Sequence, residues 1–144
     1  VVCAVVQVNL KENMLGDEGW CAIFDALRDN PQNKIAKWDL GYEGISPTIA
    51  KSLAAYAAVS ASLTEVNLEG FALPIKKLKG TDPVDSLDLS SKSLGVASAV
   101  VIASLIGGNS QLTSCDVRNN RLGEEDKDRL RQAVEGREGL DLKL

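Results

Sequence analysis

Apolar and polar residues follow one another in a spacing that recurs along the chain. The spacing apolar-x-x-apolar-x-apolar begins at Val5, Ile35, Leu63, Val84 and Leu112. A partial copy, without its first apolar residue, closes the chain at residues 140–142. The apolar-x-apolar part is typical of a short strand that buries one face and exposes the other. The pattern therefore predicts six short strands.

The segments between most of these strands have the spacing of amphipathic helices. Trp20, Ile23, Phe24 and Leu27 recur at i, i+3, i+4 and i+7, which places them on one helix face. Ser46-Pro47 predicts a helix start, because serine caps the first backbone amides and proline suits the first turn. Each unit is thus a strand, a tight turn, a helix and a return. One such unit cannot bury its apolar face alone, so several units must stack.

The last complete unit has the most regular sequence. From Leu112 to Gly123 it reads L-x-x-C-x-V-x-x-N-x-L-G, and residues 5–16 match it with Asn13. This pattern resembles the ribonuclease-inhibitor type of the leucine-rich repeat family, whose helical repeats have about 28 residues. The resemblance implies an α/β solenoid of about five repeats, a horseshoe with short parallel strands on its concave face and helices on its convex face. The middle units depart from the pattern at the asparagine position, which holds Glu43, Phe71 and Lys92.

A chain of 144 residues fits a single domain. We expect one domain over residues 1–144, with repeats that start near residues 5, 35, 63, 84 and 112. The third repeat has only 21 residues, which leaves room for one helical turn at most. Terminal repeats need a polar outer face, so the charged residues from about 120–144 predict a C-terminal cap. The other end has neither a cap nor an initiator methionine, and we interpret the chain as a fragment of a longer protein.

Composition and charge narrow the class of function. The sequence is 44% hydrophobic and 25% charged, has a net charge of −4, and contains no histidine. The absence of histidine removes catalysis by Ser-His or Cys-His pairs, and the acidic balance argues against nucleic-acid binding. No apolar run approaches the length of a transmembrane helix, so we expect no membrane insertion. The sequence also lacks phosphate-loop, dinucleotide-binding and nucleophile-elbow motifs, so we expect no enzyme and no cofactor.

Three cysteines stand far apart in the sequence, at Cys3, Cys21 and Cys115. Their odd number and the lack of a CxxC pair indicate neither a disulfide framework nor a zinc site. Buried, reduced cysteines favour a reducing compartment, so we expect an intracellular and cytoplasmic location.

The polar residues that alternate with the buried strand residues form the first candidate binding site. In the horseshoe that the resemblance implies, they face outward on the concave sheet. The predicted partner-binding residues are Asn9, Asp39, Asn67, Asp88, Asp116, Arg118 and Asp141. Their acidic character suits a basic peptide or helix of another protein. The alternative is that aspartate suits this place in the unit and stays solvated. Asp88, Asp116 and Asp141 lack further ligands for a divalent cation, so we predict no metal site.

A small basic patch in the third unit is the second candidate, formed by Lys76, Lys77 and Lys79. The alternative is a shortened connecting segment whose lysines are solvated. The strand strip exposes roughly 300 Å², well below the roughly 800 Å² per partner of a standard interface. A firm partner must therefore also contact loops, helices or residues upstream of this chain.

These observations predict a non-catalytic scaffold that binds another protein through the strand face and adjacent loops. One alternative is a structural subunit that is built into a larger assembly through its helices. Another is a regulator of a GTPase-like partner, for which Arg121, in a turn after a strand, is the candidate residue. The sequence leaves the oligomeric state open.

Overall fold

The computed structural model describes residues 7–144. Val5, which starts the first unit, and Cys3 lie outside the described residues. The strands are β1 (Gln7–Val8), β2 (Lys37–Asp39), β3 (Glu65–Asn67), β4 (Ala72–Pro74), β5 (Ser86–Asp88), β6 (Ser114–Asp116) and β7 (Asp141–Lys143). The helices are α1 (Gly16–Arg28), α2 (Pro47–Val59), α3 (Ile75–Lys79), α4 (Val96–Ile106) and α5 (Glu124–Ala133). Each predicted strand overlaps an observed one, and β4 is an addition that the spacing does not predict.

Local sequence explains where the first two helices begin. In α2 the Ser46 hydroxyl accepts a hydrogen bond from the Ile49 amide at 3.2 Å, and Pro47 is the first helical residue. The predicted start at Ser46-Pro47 is therefore confirmed. In α1 the first turn contains Asp17 and Glu18, whose negative charge is favourable at the positive end of the helix dipole.

The helix α4 is apolar on nearly all sides, and other helices cover it. It packs against both α2 and α5, and α1 extends the layer by packing on α2. Nine residues of α4, between Ala97 and Ile106, are buried. A helix that is hydrophobic all round is stable in water only where neighbours surround it. Within residues 7–144, no helix combines the length and the apolar character needed to cross a membrane.

The strands form two sheets and not one. The first sheet has the order β1-β2-β3-β4, and the second has the order β5-β6-β7. The strands β1, β2 and β3 are parallel, as are β5, β6 and β7, but β4 is antiparallel to β3. The predicted leucine-rich repeat solenoid, a horseshoe with a single parallel sheet, is therefore wrong. The described chain is a small α/β structure with one mixed sheet and one parallel sheet.

The short third unit causes the break between the two sheets. After β3 the chain reverses at Gly70, which has a φ of 93°, and the Asn67 side chain accepts a hydrogen bond from its amide at 2.8 Å. The chain then pairs back along β3, with Leu73 opposite Val66. β4 thus occupies the edge of β3 that the next parallel strand would need. The apolar spacing could not predict this reversal, because an apolar Leu73 fits either arrangement.

A continuous buried core joins the two sheets to the helices. Its N-terminal part is aromatic: the Phe24 ring stacks on Trp20 at 5.7 Å and on Tyr56 at 6.1 Å between ring centroids. Trp38 meets Phe24 edge-on at 5.4 Å, and its indole N–H donates to the Tyr56 hydroxyl at 3.4 Å. Burial raises the pKa of Tyr56. Both tryptophans are core residues, as their spacing predicts.

Candidate functional site

On the first sheet, the predicted strand-face residues interact within the protein. Asp39 lies opposite Asn67, and Asn9 follows the end of β1. The Lys11 ammonium lies 2.7 Å from a carboxylate oxygen of Asp39. This hydrogen bond is the main cause that lowers the pKa of Asp39. The negative charge of Asp39 is therefore already compensated by a lysine of the neighbouring turn.

On the second sheet, the strand register separates Asp141 from the other two predicted aspartates. Asp88 lies opposite Asp116, whereas Asp141 lies opposite Ser114. Lys143 takes the position opposite Asp116, and its ammonium lies 3.5 Å from the Asp141 carboxylate. The predicted residues therefore lie in two groups, one on each sheet, and not in one column. Within residues 7–144, no group of three or more cysteine, aspartate and glutamate side chains is placed to hold a metal ion.

Arg118 supplies the positive charge among these aspartates. Its Nη2 lies 2.6 Å from Asp116 Oδ2 and its Nε 3.0 Å from Asp116 Oδ1, which is a two-point contact. This contact, followed by the Arg118 backbone amide, lowers the pKa of Asp116 to about 2. Asp116 first, and then Asp88 and Asp141, raise the pKa of Arg118. A basic ligand would have to compete with Arg118 for the Asp116 carboxylate.

The asparagine or aspartate at or just after the end of β1, β2, β3, β5 and β6 has a structural role in the following turn. Asp88 Oδ1 accepts hydrogen bonds from the Ser90 amide at 3.0 Å and from the Ser90 hydroxyl at 2.6 Å. These bonds lower the pKa of Asp88. Asn9, Asp39 and Asp116 likewise accept from the amide two residues later. Because such side-chain bonds form turns, they favour the interpretation that aspartate suits this place in the unit.

The three lysines of the predicted basic patch differ in their exposure and in their contacts. The Lys79 ammonium donates to the Ser60 carbonyl at 2.8 Å, at the end of α2. Burial, and then the charge of Lys76, lower the pKa of Lys79. Lys77 is exposed and Lys76 is half-buried, and both line a cavity of about 210 Å³. Glu65 and Asp82 line the same cavity, so its positive charge is partly balanced.

The turns that lead from strands to helices carry two very exposed apolar side chains. Tyr42 is 100% exposed and Met14 is 96% exposed. Both residues have a positive φ, 68° for Tyr42 and 50° for Met14, which bulky residues seldom adopt. The positions equivalent to Tyr42 in other turns also have positive φ, but they hold Glu12, Ser91 and Asn119. The turn therefore requires this backbone conformation, and it does not require an aromatic ring.

Tyr42 borders a cavity with a volume of about 370 Å³. The lining residues are Tyr42, Gly44, Ile45, Leu68, Glu69, Ala97 and Arg121. Glu69 directs its carboxylate to the start of α4, where it accepts hydrogen bonds from the Gly95 amide at 2.7 Å and from the Ser98 hydroxyl. None of the residues that line this cavity is among the partner-binding residues predicted from the sequence. A signal was available, because Tyr42 is the aromatic residue at a turn position that is polar or glycine in the other units.

Both described cysteines are free thiols. Cys115 is buried on β6, and burial raises its pKa to about 12. A thiol with a raised pKa is a poor nucleophile, because the thiolate is the reactive form. Cys21 is half-buried, and its sulfur lies 3.8 Å from the Thr48 carbonyl oxygen.

No protein-family profile matches this chain, and no curated protein sequence is significantly similar to it. A proposal about function therefore depends on the arrangement of the residues themselves.

Proposed function

We propose that this protein is a non-catalytic module that binds another protein through its exposed strand face and the adjacent turns. The observation that carries the proposal is the near-complete exposure of Tyr42 and Met14 on neighbouring turns. Large side chains that stay exposed contribute little to the free energy of folding. Tyrosine and methionine are, however, enriched at protein interfaces. The continuous core beneath the turns provides a rigid support, which lowers the entropy cost of binding.

The sequence resemblance to leucine-rich repeat proteins agrees with the same role but adds little to it, because the solenoid that the resemblance implies is wrong for this chain. Membership of the family stays a prediction that rests on the spacing of residues in the sequence. The buried, free Cys115 suits a reducing environment, so we also propose an intracellular and cytoplasmic location. Its high pKa suits a packing role and not nucleophilic catalysis.

The charges on the strand face give limited support to a basic partner. Lys11 and Arg118 already neutralise Asp39 and Asp116. Exposed ion pairs of this kind contribute little energy, about 0–1 kcal/mol, so a strongly basic ligand could still displace them. We therefore include the turns in the proposed surface and test the two parts separately.

Quantitative affinity capture from native extract tests the proposed function. The full chain is compared with Asp88→Asn/Asp116→Asn, which removes charge from the strand face but keeps oxygens that can accept the turn hydrogen bonds. A second variant, Tyr42→Asn, removes the ring but keeps a residue that tolerates positive φ. Lys51→Glu, at an exposed position on α2, serves as the control.

We expect a captured protein to be lost with one or both of the first two variants and retained with the control. Loss with Lys51→Glu alone would contradict the proposal and favour a structural subunit that is buried through its helices. If no protein is captured by any form of the chain, the proposed function has no support. Equal melting temperatures of the variants are required before their binding is compared.

A further inference from the structure

We propose that the cavity beside Tyr42 and Arg121 docks a short segment of the partner protein in which an acidic residue stands next to a large apolar residue. This inference rests on the proposed function, because it names the surface and the chemistry of the partner. It differs from the basic ligand that the strand-face aspartates suggest.

The floor of the cavity is apolar and firmly packed. Leu68 and Ala97 are each only 4% exposed, and Ile45 is half-buried beside them. Tyr42 stands at the rim with its whole side chain exposed. The volume of about 370 Å³ is at the low end of the range for ligand cavities, about 300–1,000 Å³. It therefore suits one or two side chains of a partner.

Arg121 is the cation among the lining residues, and its backbone is held in place. Its amide donates to the Leu94 carbonyl at 2.8 Å. The preceding Asn120 accepts hydrogen bonds from the amides of Lys92 and Leu94. The Arg121 side chain is exposed, and among residues 7–144 it forms no ion pair. A guanidinium in this position can bind a carboxylate at two points.

Glu69 is the carboxylate among the lining residues, and it already has partners. One of its oxygens accepts hydrogen bonds from the Gly95 amide and the Ser98 hydroxyl at the start of α4. A carboxylate is also well placed at the N-terminus of a helix, because of the helix dipole. The negative charge of Glu69 is therefore stabilised by groups of the protein itself. Arg121 remains available to bind an acidic group of a partner.

The turns that follow successive strands carry charges of different sign. These charges set the direction in which the partner segment would lie. Lys92 stands over the Phe71 ring, 5.4 Å from its centroid, in the turn next to that of Arg121. At the other end of the row, a Glu43 carboxylate oxygen accepts a hydrogen bond from the Glu12 amide. The acidic residue of the partner would thus lie at the Arg121 end, with its apolar neighbour against Tyr42.

Selection from a phage-displayed library of short random peptides against the immobilised full chain tests this inference. We expect the enriched peptides to combine aspartate or glutamate with an adjacent aromatic or large aliphatic residue. The affinity of a synthetic copy is then measured for the wild type and for Arg121→Glu, Tyr42→Asn and Lys51→Glu. We expect Arg121→Glu and Tyr42→Asn each to weaken binding by about tenfold or more, as for central interface residues. Lys51→Glu makes the same change of charge away from the cavity and should alter the affinity by less than about twofold.

Three results would overturn the inference. The first is enrichment of basic peptides whose binding is lost with Asp88→Asn/Asp116→Asn, which would leave the proposed function intact. The second is enrichment of peptides whose affinity is unchanged by Arg121→Glu and Tyr42→Asn. The third is no enrichment at all. In that case, affinity capture with the strand-face and helix variants still decides the proposed function independently. Circular dichroism of each variant confirms that it is folded.

Discussion

Asn120 uses one side-chain amide to join neighbouring turns. Its Oδ1 accepts hydrogen bonds from the amides of Lys92 at 2.9 Å and Leu94 at 3.0 Å. Its Nδ2 donates to the carbonyls of Leu89 and Val117, both at 2.8 Å. Asparagine can do this because its side chain carries both donors and acceptors. Aspartate, which has the same shape, has no donor when it is ionised.

The substitution Asn120→Asp should therefore destabilise the protein by about 2–3 kcal/mol, because two carbonyls lose their donor and face a negative charge. Chemical denaturation measures this loss. Asn119→Asp is the matched control, since Asn119 is exposed and aspartate also tolerates its positive φ. Equal stability of the two variants would contradict the bridging role of Asn120.

The low pKa of Asp116 leads to a second prediction. Because the pKa of about 2 lies below the ordinary value of 3.8, the ionised form favours the folded state. Its contribution to stability is present above pH 3.8 and is lost as the pH falls towards 2. Removal of the guanidinium in Arg118→Gln should raise the pKa of Asp116, although the amide of residue 118 still lowers it.

Carboxyl-group titration by NMR measures this change. Ser90→Ala is the control. It should raise the pKa of Asp88, which accepts a hydrogen bond from the Ser90 hydroxyl, and leave the Asp116 pKa low because Asp116 stays paired with Arg118. An Asp116 pKa near its ordinary value in the wild type would show that the Arg118 contact does not persist in solution.

The helices depend on close contacts where they end. Buried Asn109, in the loop after α4, donates from its side chain to the Lys77 carbonyl at 2.8 Å and the Leu78 carbonyl at 3.1 Å in α3. Its Oδ1 also accepts from the amide of Leu112 at 3.2 Å, just before β6. The short helix α3 is thus attached to the second sheet by side-chain hydrogen bonds. A helix of five residues needs such contacts, because it is too short to be stable alone.

Two adjacent glycines after α4 allow a matched test of helix packing. A Cβ atom at Gly107 would lie 2.7 Å from the Ala133 carbonyl oxygen at the end of α5, whereas one at Gly108 would meet no atom within 4 Å. Gly107→Ala should therefore destabilise the protein by about 1–3 kcal/mol. Gly108→Ala should be neutral or slightly stabilising, because alanine restricts the unfolded chain. Thermal unfolding of both variants checks the difference, and equal melting temperatures would mean that α4 and α5 do not approach so closely.

The two sheets should behave as one cooperative structure. The buried core is continuous, and α2, beside the first sheet, packs directly on α4 of the second part. Glu69 adds a polar connection between the end of β3 and the start of α4. We therefore expect that the interruption of the sheet at β4 does not divide the protein into units that unfold independently.

Denaturant unfolding followed by two signals tests this cooperativity. Trp20 and Trp38 both belong to the first part of the chain, so fluorescence reports on that part, whereas far-ultraviolet circular dichroism reports on the whole. We expect the two transitions to coincide, as for a two-state domain. Glu69→Ala should lower the midpoint of both transitions together. Separate midpoints in the wild type would show that the two sheets unfold independently.

Much of the secondary structure was predictable, because strands and helices leave a local pattern of apolar residues. The start of α2 at Ser46-Pro47 and the burial of Trp20 and Trp38 are confirmed. The arrangement of strands was not predictable in the same way. Residues 72–74 pair antiparallel with β3 because that strand edge is available to them in the folded chain. The apolar spacing around Leu73 contains no information about which edge is available.

The candidate site was predictable only in part. The sequence identified the recurring Asp and Asn residues, but a list of residues cannot reveal that Lys11 and Arg118 pair with them. Nor can it reveal that Asp141 lies opposite Ser114, since a register is a property of two strands together.

The sequence alone determined where the helices and every strand except β4 lie, which faces they bury, and that the net charge is negative. These properties depend on residues that are near one another along the chain. The tertiary structure decided the division into two sheets, the internal pairing of the strand-face charges, and the cavity between Tyr42 and Arg121. Those features join residues far apart in sequence, so they exist only once the core has brought the turns together.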